Sequence, residues 1–145
     1  MRAADLIHGP METDLAEDEI IVAIRFPGWP ADRRWGFDEF ALRDGDLAIA
    51  AVAVFHDLDG PRMANAHVAV MGATDMPQRV AAAEDVLNGA EPTEDVFTAA
   101  GAAAAAAIEP MEDIQASAAY RRSLVATLLQ RALRAANTRQ PGIAA

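Results

Sequence analysis

The sequence predicts an α+β fold, a small antiparallel sheet of three or four strands followed by three helices packed on one face. Three observations carry that prediction. Segments rich in β-branched and aromatic residues, punctuated by Pro, Gly and Asp, fill the first half of the chain. Apolar residues at helical spacing fill the second half. Because the strands precede the helices instead of alternating with them, the sheet should be antiparallel and covered on one side. At 145 residues, a single domain with its own core is the simplest organisation.

Residues 1–18 read as an irregular lead-in that holds Pro10 and the acids Glu12, Asp14, Glu17 and Asp18. The domain proper spans 19–136. Its first strand is expected over 19–26, where Ile20, Ile21, Val22 and Ile24 cluster before the turn Pro27-Gly28-Trp29-Pro30. Residues 35–42 form a second strand or an extended lead. Asp44-Gly45-Asp46 is then a turn, since Asp bonds its own backbone and Gly tolerates φ > 0. Residues 47–55 carry no charge and read as a strand buried on both faces. A turn at 57–61 joins it to a strand over 62–71, and the two pair as a hairpin.

Residues 77–87 read as a helix, closed by Asn88-Gly89. Thr93 caps the next one, with Glu94 and Asp95 in its first turn, and the alanine tract carries it to about Ile108, ahead of Pro110. Ser117 caps the last helix, in which Leu124, Leu128, Leu129 and Leu133 recur at helical spacing. Residues 137–145 read as a frayed tail.

Composition excludes several kinds of chemistry. With no Cys there is no disulfide, thiolate nucleophile or Cys-bound metal. All twelve basic residues are Arg, so Schiff-base chemistry and a P-loop lysine are absent as well. A net charge of −10 argues against nucleic acid and anionic membranes as partners. No apolar run approaches the ~20 residues of a membrane helix. Membrane insertion is therefore not expected, and with no export signal visible a cytoplasmic location is. After Asp113 no acid remains, while Arg121, Arg122, Arg131, Arg134 and Arg139 follow. The acidic start and basic end are either solvated faces or complementary surfaces that dock within the fold or onto a partner.

Residues with catalytic potential are few. His56-Asp57-Leu58-Asp59 brings imidazole and carboxylates together, but its spacing matches no strong ligand motif and also suits a hairpin turn. His67 alternates within a strand as a structural histidine would, and His8 lies in the lead-in. Ser117 and Ser123 stand outside any Gly-x-Ser-x-Gly setting, and no Gly-x-Gly-x-x-Gly cradle occurs. These residues describe a binding or interaction module without a catalytic centre.

The order of motifs resembles one family. Thr13-Asp14-Leu15-Ala16-Glu17-Asp18-Glu19-Ile20-Ile21 with Ile24-Arg25-Phe26-Pro27 is similar to the start of the C-terminal domain of molybdenum-hydroxylase flavoprotein (medium) subunits. Such subunits occur in aerobic carbon monoxide dehydrogenase and xanthine dehydrogenase-like enzymes. Phe40-Ala41-Leu42-Arg43-Asp44-Gly45-Asp46-Leu47-Ala48-Ile49-Ala50 resembles the family's Arg-x-Gly-Asp-aromatic-Ala-x-Ala stretch. Gly72-Ala73-Thr74-Asp75-Met76-Pro77-Gln78-Arg79 and Ala83-Glu84-Asp85-Val86-Leu87-Asn88-Gly89 match its strand-to-helix passage, and Ser117-Ala118-Ala119-Tyr120-Arg121-Arg122-Ser123-Leu124 its terminal helix. The resemblance covers about residues 2–136.

The resemblance implies three or four strands followed by three helices, in agreement with the unaided reading. It also implies FAD, held mainly by an N-terminal FAD-binding domain whose Gly-rich loops are not in this sequence. An iron–sulfur subunit and a large molybdenum subunit are the implied partners, and homo-oligomers are possible. By position, Asp46 would approach the flavin ring and Arg43 would orient its turn. Asp46 has an alternative reading as a turn residue at the start of a strand. Glu39 stands seven residues before Asp46, where many family members carry Lys, and would face the cofactor with an anion in place of a cation. Tyr120, Arg121 and Arg122 are candidate interface residues; Tyr120 and Arg121 either tie the last helix to the sheet or to a neighbouring domain, or simply pack at the helix start. Two functions are open at this stage, a domain completing a flavin pocket and a subunit-docking domain without flavin contact.

Overall fold

A computed structural model describes residues 1–9 and 11–139. A short helix α1 (Ala3–Leu6) and a two-stranded ribbon, β1 (Ile7–Gly9) with β2 (Glu12–Thr13), stand where irregular chain is expected. Pro10, also part of that lead-in, lies outside the described residues. The main sheet holds β3 (Arg34–Phe40), β4 (Ala50–Asp59), β5 (Arg62–Met71) and β6 (Gln78–Arg79). Its strands are antiparallel throughout, in the order β3-β4-β5-β6. Behind it lie α2 (Ala81–Leu87), α3 (Glu94–Ala107) and α4 (Ala118–Thr138). The architecture is the α+β arrangement expected.

Beyond the lead-in, three elements differ from expectation. The strand anticipated over 19–26 does not form. A strand needs a neighbour to take its amides and carbonyls, and this segment has none among the described residues. The backbone bonds nearest it, Glu19 N–H to Ala16 O and Arg33 N–H to Pro30 O, are local turns on either side. The fourth strand is instead β6, whose two residues fall where the first helix was expected to begin. Finally, β4 starts at Ala50 and not at residue 47. Leu47 is 94% exposed, and residues 41–49 form a loop closed by Ile49 N–H to Phe40 O at 2.8 Å.

Register decides what each face carries. Arg34 pairs with His56 and Phe40 with Ala50. Adjacent strand residues point to opposite faces, so the even-numbered residues of β3 and β4 turn toward the helices. Asn65 adopts φ 49° at a bulge in the β4–β5 ladder. The hairpin turns at Gly60, where φ is 59°. On the covered side, α4 packs beneath β3 and β4, α2 beneath β5, and α3 against both helices. Val52, Val54, Val68 and Val70 meet Phe97, Leu128, Leu129 and Leu133 in the core. Each large apolar side chain buried this way contributes about 1.5–3 kcal/mol.

The small residues set the spacing. A Cβ at Gly36 would fall on the Ala132 carbonyl oxygen of α4, and one at Gly101 of α3 would lie 2.7 Å from the Ala126 oxygen. Backbones therefore touch at both crossings. The caps are as expected: Thr93 Oγ1 accepts from Val96 N–H at 3.4 Å and Ser117 Oγ from Tyr120 N–H at 3.2 Å. The anticipated frayed tail is helical through Thr138, and its residues 140–145 lie outside the described residues. Among the described residues, no helix is long and apolar enough to cross a membrane.

Candidate functional site

The face of the sheet turned away from the helices carries an apolar groove of about 440 Å³. Odd-numbered residues of β3 supply Trp35 and Phe37, β4 supplies Ala53 and Phe55, and β5 supplies His67 and Ala69. Trp29, in the segment preceding β3, folds over one end, its ring 5.3 Å from that of Phe55 at 70°. His67 stacks on Phe55 at 4.4 Å and 18°. Burial pushes the His67 imidazole below its ordinary pKa, so the ring is neutral at pH 7 and belongs to the apolar surface. Three guanidinium groups stand at the groove. Arg79 lines it, Arg33 lies over the Phe55 ring at 4.5 Å, and Arg139 lies over the Trp35 ring at 3.7 Å.

Arg33 is fixed by Asp57, which accepts its Nε and Nη2 at 2.8 and 2.9 Å and also takes Asn65 Nδ2 at 2.8 Å. The Arg33 guanidinium is the main reason the Asp57 carboxyl is held down to about 2, against partial burial acting the other way. The folded value lies below the ordinary 3.8. Asp57 therefore adds stability above that pH and loses it as the pH falls toward 2. Urea titrations at stepped pH should show the wild type losing on the order of 1–2 kcal/mol more than Asp57→Asn across this window. Parallel pH curves would rule the tether out as a source of acid sensitivity.

The residues singled out in the sequence are dispersed around this face. Glu39 is exposed on β3, on the same side as Trp35 and Phe37 and opposite Ala51. Arg43 and Asp46 occupy the exposed 41–49 loop that follows, where Asp46 N–H donates to Arg43 O at 3.2 Å and Gly45 takes φ 84°. Among the described residues, no hydrogen bond or ion pair links the side chains of Glu39, Arg43 and Asp46 to one another. The loop's base is nevertheless rigid. Arg121, only 2% exposed, donates Nη1 to Ile49 O at 2.6 Å and Gly72 O at 2.9 Å, and Nη2 to Asp113 Oδ2 at 2.7 Å. These bonds fasten the last helix to the sheet. Tyr120 packs edge-on against Phe40 at 6.2 Å, and exposed Arg122 reaches Ile108 O at 3.3 Å.

Other clusters resolve into structure. His56 faces the helices, fully buried, and burial pushes its pKa down, while its neighbour Asp57 points to the opposite face. Among the described residues no group of three or more His, Cys, Asp or Glu side chains could hold a metal ion. Arg131, Arg134 and Arg121 pair with Asp38, Glu94 and Asp113, and among the described residues no late arginine pairs with the acidic start of the chain.

The CO dehydrogenase flavoprotein C-terminal domain family matches residues 35–136, the stretch that builds the sheet, most of the groove and the three helices behind it. The chain belongs to that family. This flavoprotein C-terminal domain is 42% identical over 139 residues to the nicotine 6-hydroxylase medium subunit of Paenarthrobacter nicotinovorans, a match spanning 96% of this chain and 48% of the relative. Carbon monoxide dehydrogenase of Hydrogenophaga pseudoflava superposes with TM-score 0.87 at 31% identity, covering 94% of this chain and 48% of that one. For quinoline 2-oxidoreductase of Pseudomonas putida 86 the TM-score is 0.81, again at 31% identity, over 92% and 46% of the two chains. The chain thus spans about half the length of the curated relatives it matches. The resemblance drawn from the sequence motifs is confirmed at the level of the family.

Sequence reasoning missed the aromatic face of this flavoprotein domain. The signal was present as a period of two, Trp35-Phe37-Glu39, on a strand whose alternate positions are Gly36, Asp38 and Phe40. What the period alone does not give is the register that brings Phe55 and His67 alongside.

Proposed function

We propose that this domain is the C-terminal wall of the FAD pocket in the medium subunit of a molybdenum hydroxylase. The observation that supports the reading is the open aromatic sheet face of a flavoprotein-family domain, flanked by three arginines. Isoalloxazine is a planar ring system, and a groove walled by Trp29, Trp35, Phe37 and Phe55 suits its stacking. Arg33 is paired with Asp57, and Arg79 with Glu84 at 2.9 and 2.6 Å, so the Arg139 guanidinium over Trp35 is the one suited to a ring that gains negative charge on reduction. Glu39 continues this face along β3, and in this reading the 43–46 turn that follows it would meet the ring's edge, with Asp46 accepting from a ring N–H and Arg43 orienting the turn. FAD, when bound, supplies the chemistry of accepting electrons from iron–sulfur clusters and delivering them to an acceptor. This chain's part is to stack against the ring, set the charge around it and exclude water.

The FAD-binding half of the medium subunit, an iron–sulfur subunit and a large molybdenum subunit are the proposed partners, with no substrate site on this domain. Adding the chain to the FAD-loaded FAD-binding half should quench flavin emission, because stacked indole rings quench flavins. Phe37→Glu should abolish the quenching. Unchanged emission with the wild-type chain would overturn the flavin role. Binding without any change in emission would leave the docking reading, which the anionic Glu39 favours.

A further inference from the structure

Residues 19–26 are the least satisfied part of the molecule. Ile20, Val22, Ile24 and Phe26 are 81%, 87%, 72% and 82% exposed, and they occupy alternate positions of a segment without regular secondary structure. Such a row of β-branched and aromatic side chains is the pattern of one strand face turned to a core. Burying it elsewhere would gain about 1.5–3 kcal/mol per side chain. Their backbone groups are also free of backbone partners among the described residues, as an edge or added strand requires. The segment's C-terminal end is fixed to the sheet, where Trp29 packs on Phe55 and Arg33 is bound by Asp57. On the N-terminal side, Asp14 N–H donates to Leu6 O at 2.9 Å within the lead-in itself.

The occupant follows from where the segment falls relative to the family's domain. The family match begins at residue 35, so residues 19–26 lie outside it. Yet superposition on the carbon monoxide dehydrogenase chain covers 94% of this chain, more than residues 35–136 account for, and leaves about half of that relative unmatched. The likeness to that relative therefore extends into residues outside the family match, and about half of the relative remains as a neighbour that this chain does not supply. We infer that residues 19–26 form a β-strand of the FAD-binding half's sheet, with Ile20, Val22, Ile24 and Phe26 in that half's core. The C-terminal domain would then be fastened to its neighbour by a strand it contributes, in addition to contact across the groove. This inference rests on the medium-subunit reading above.

Hydrogen exchange and binding on the complete chain test it, with the FAD-loaded FAD-binding half as partner. Amides 20–26 should exchange rapidly in the free chain and become protected in the complex. The double substitution Val22→Lys with Ile24→Lys should weaken binding by on the order of 100-fold or more, as for hot-spot side chains. It should leave the thermal midpoint of the free chain unchanged, since both side chains are exposed there. A complex that quenches flavin emission while amides 20–26 stay unprotected would overturn the strand and leave the flavin role standing. So would equal binding by the double variant, or protection gained by self-association alone. Failure of the wild-type chain to bind would overturn both.

Discussion

Gly36→Ala is expected to prevent the stable packing of β3 on α4. The added Cβ would coincide with the Ala132 carbonyl oxygen, and its next neighbours are the Ala132 carbonyl carbon and Cα at 2.7 and 3.1 Å. Relief cannot come from a rotamer change, because everything it meets is helix backbone. Either α4 must lift or β3 must leave the ladder. Lifting α4 would open the core around Leu128, Leu129 and Leu133, all buried. Overpacking that forces backbone shifts costs typically 1–3 kcal/mol and at times more, and here about 3 kcal/mol or more is expected. In a domain with total stability of about 5–15 kcal/mol, that is a large fraction. Urea unfolding should show a clearly lowered midpoint, and near-ultraviolet dichroism a changed signal from Trp35, which sits beside the substitution. The same substitution at Gly28, around which no atom lies within 4 Å of an added Cβ, should be nearly silent. Equal midpoints for the two variants would refute the contact.

That contrast also marks what the sequence makes legible. Local rules found the β4–β5 hairpin, the Thr93 and Ser117 caps and the leucine face of α4, because turn chemistry, capping and periodicity act over a few residues. They failed where the decisive partner is distant in the sequence or not among the described residues. Residues 19–26 have strand composition, but a strand is completed by a ladder, and composition cannot say whether the partner is present. β6 is two residues long, too short for any period to register. In the candidate site, the family motifs pointed to Glu39, Arg43 and Asp46. The groove was missed because Phe55, His67 and Trp35 meet only through register. Arg33 and Asp57 are 24 positions apart, and Arg121 reaches carbonyls 72 and 49 positions away. No spacing rule spans such distances.

Arg121→Met should cost about 3–5 kcal/mol, the range for removing one partner from a buried charged network. Three groups lose a donor, unequally. Asp113 is partly exposed, and its Oδ1 keeps the amides of Gln115 and Ala116 at 2.9 and 3.0 Å, so water can replace what Arg121 gave it. The carbonyls of Ile49 and Gly72 have less recourse. Ile49 is itself buried, and Gly72 sits at φ 74° with an added Cβ only 2.5 Å from the Ala48 oxygen, leaving little room for water. Each unsatisfied buried carbonyl costs about 1–3 kcal/mol. The penalty therefore arises mainly at the base of the 41–49 loop. Asp113→Asn, which keeps a hydrogen-bonding oxygen near Arg121, should cost about 1 kcal/mol or less, as half-exposed ion pairs do. Arg121→Lys should fall between, because one ammonium replaces the planar fork that serves two carbonyls and a carboxylate at once. Amide exchange gives a readout beyond stability: Asp46 and Ile49 should exchange faster in Arg121→Met even where the variant remains folded. If Asp113→Asn proved as damaging as Arg121→Met, the ion pair would be the stabilising element and the carbonyl anchor incidental. The ordering Met, Lys, Asn in decreasing cost would instead make Arg121 the residue that positions the 43–46 turn.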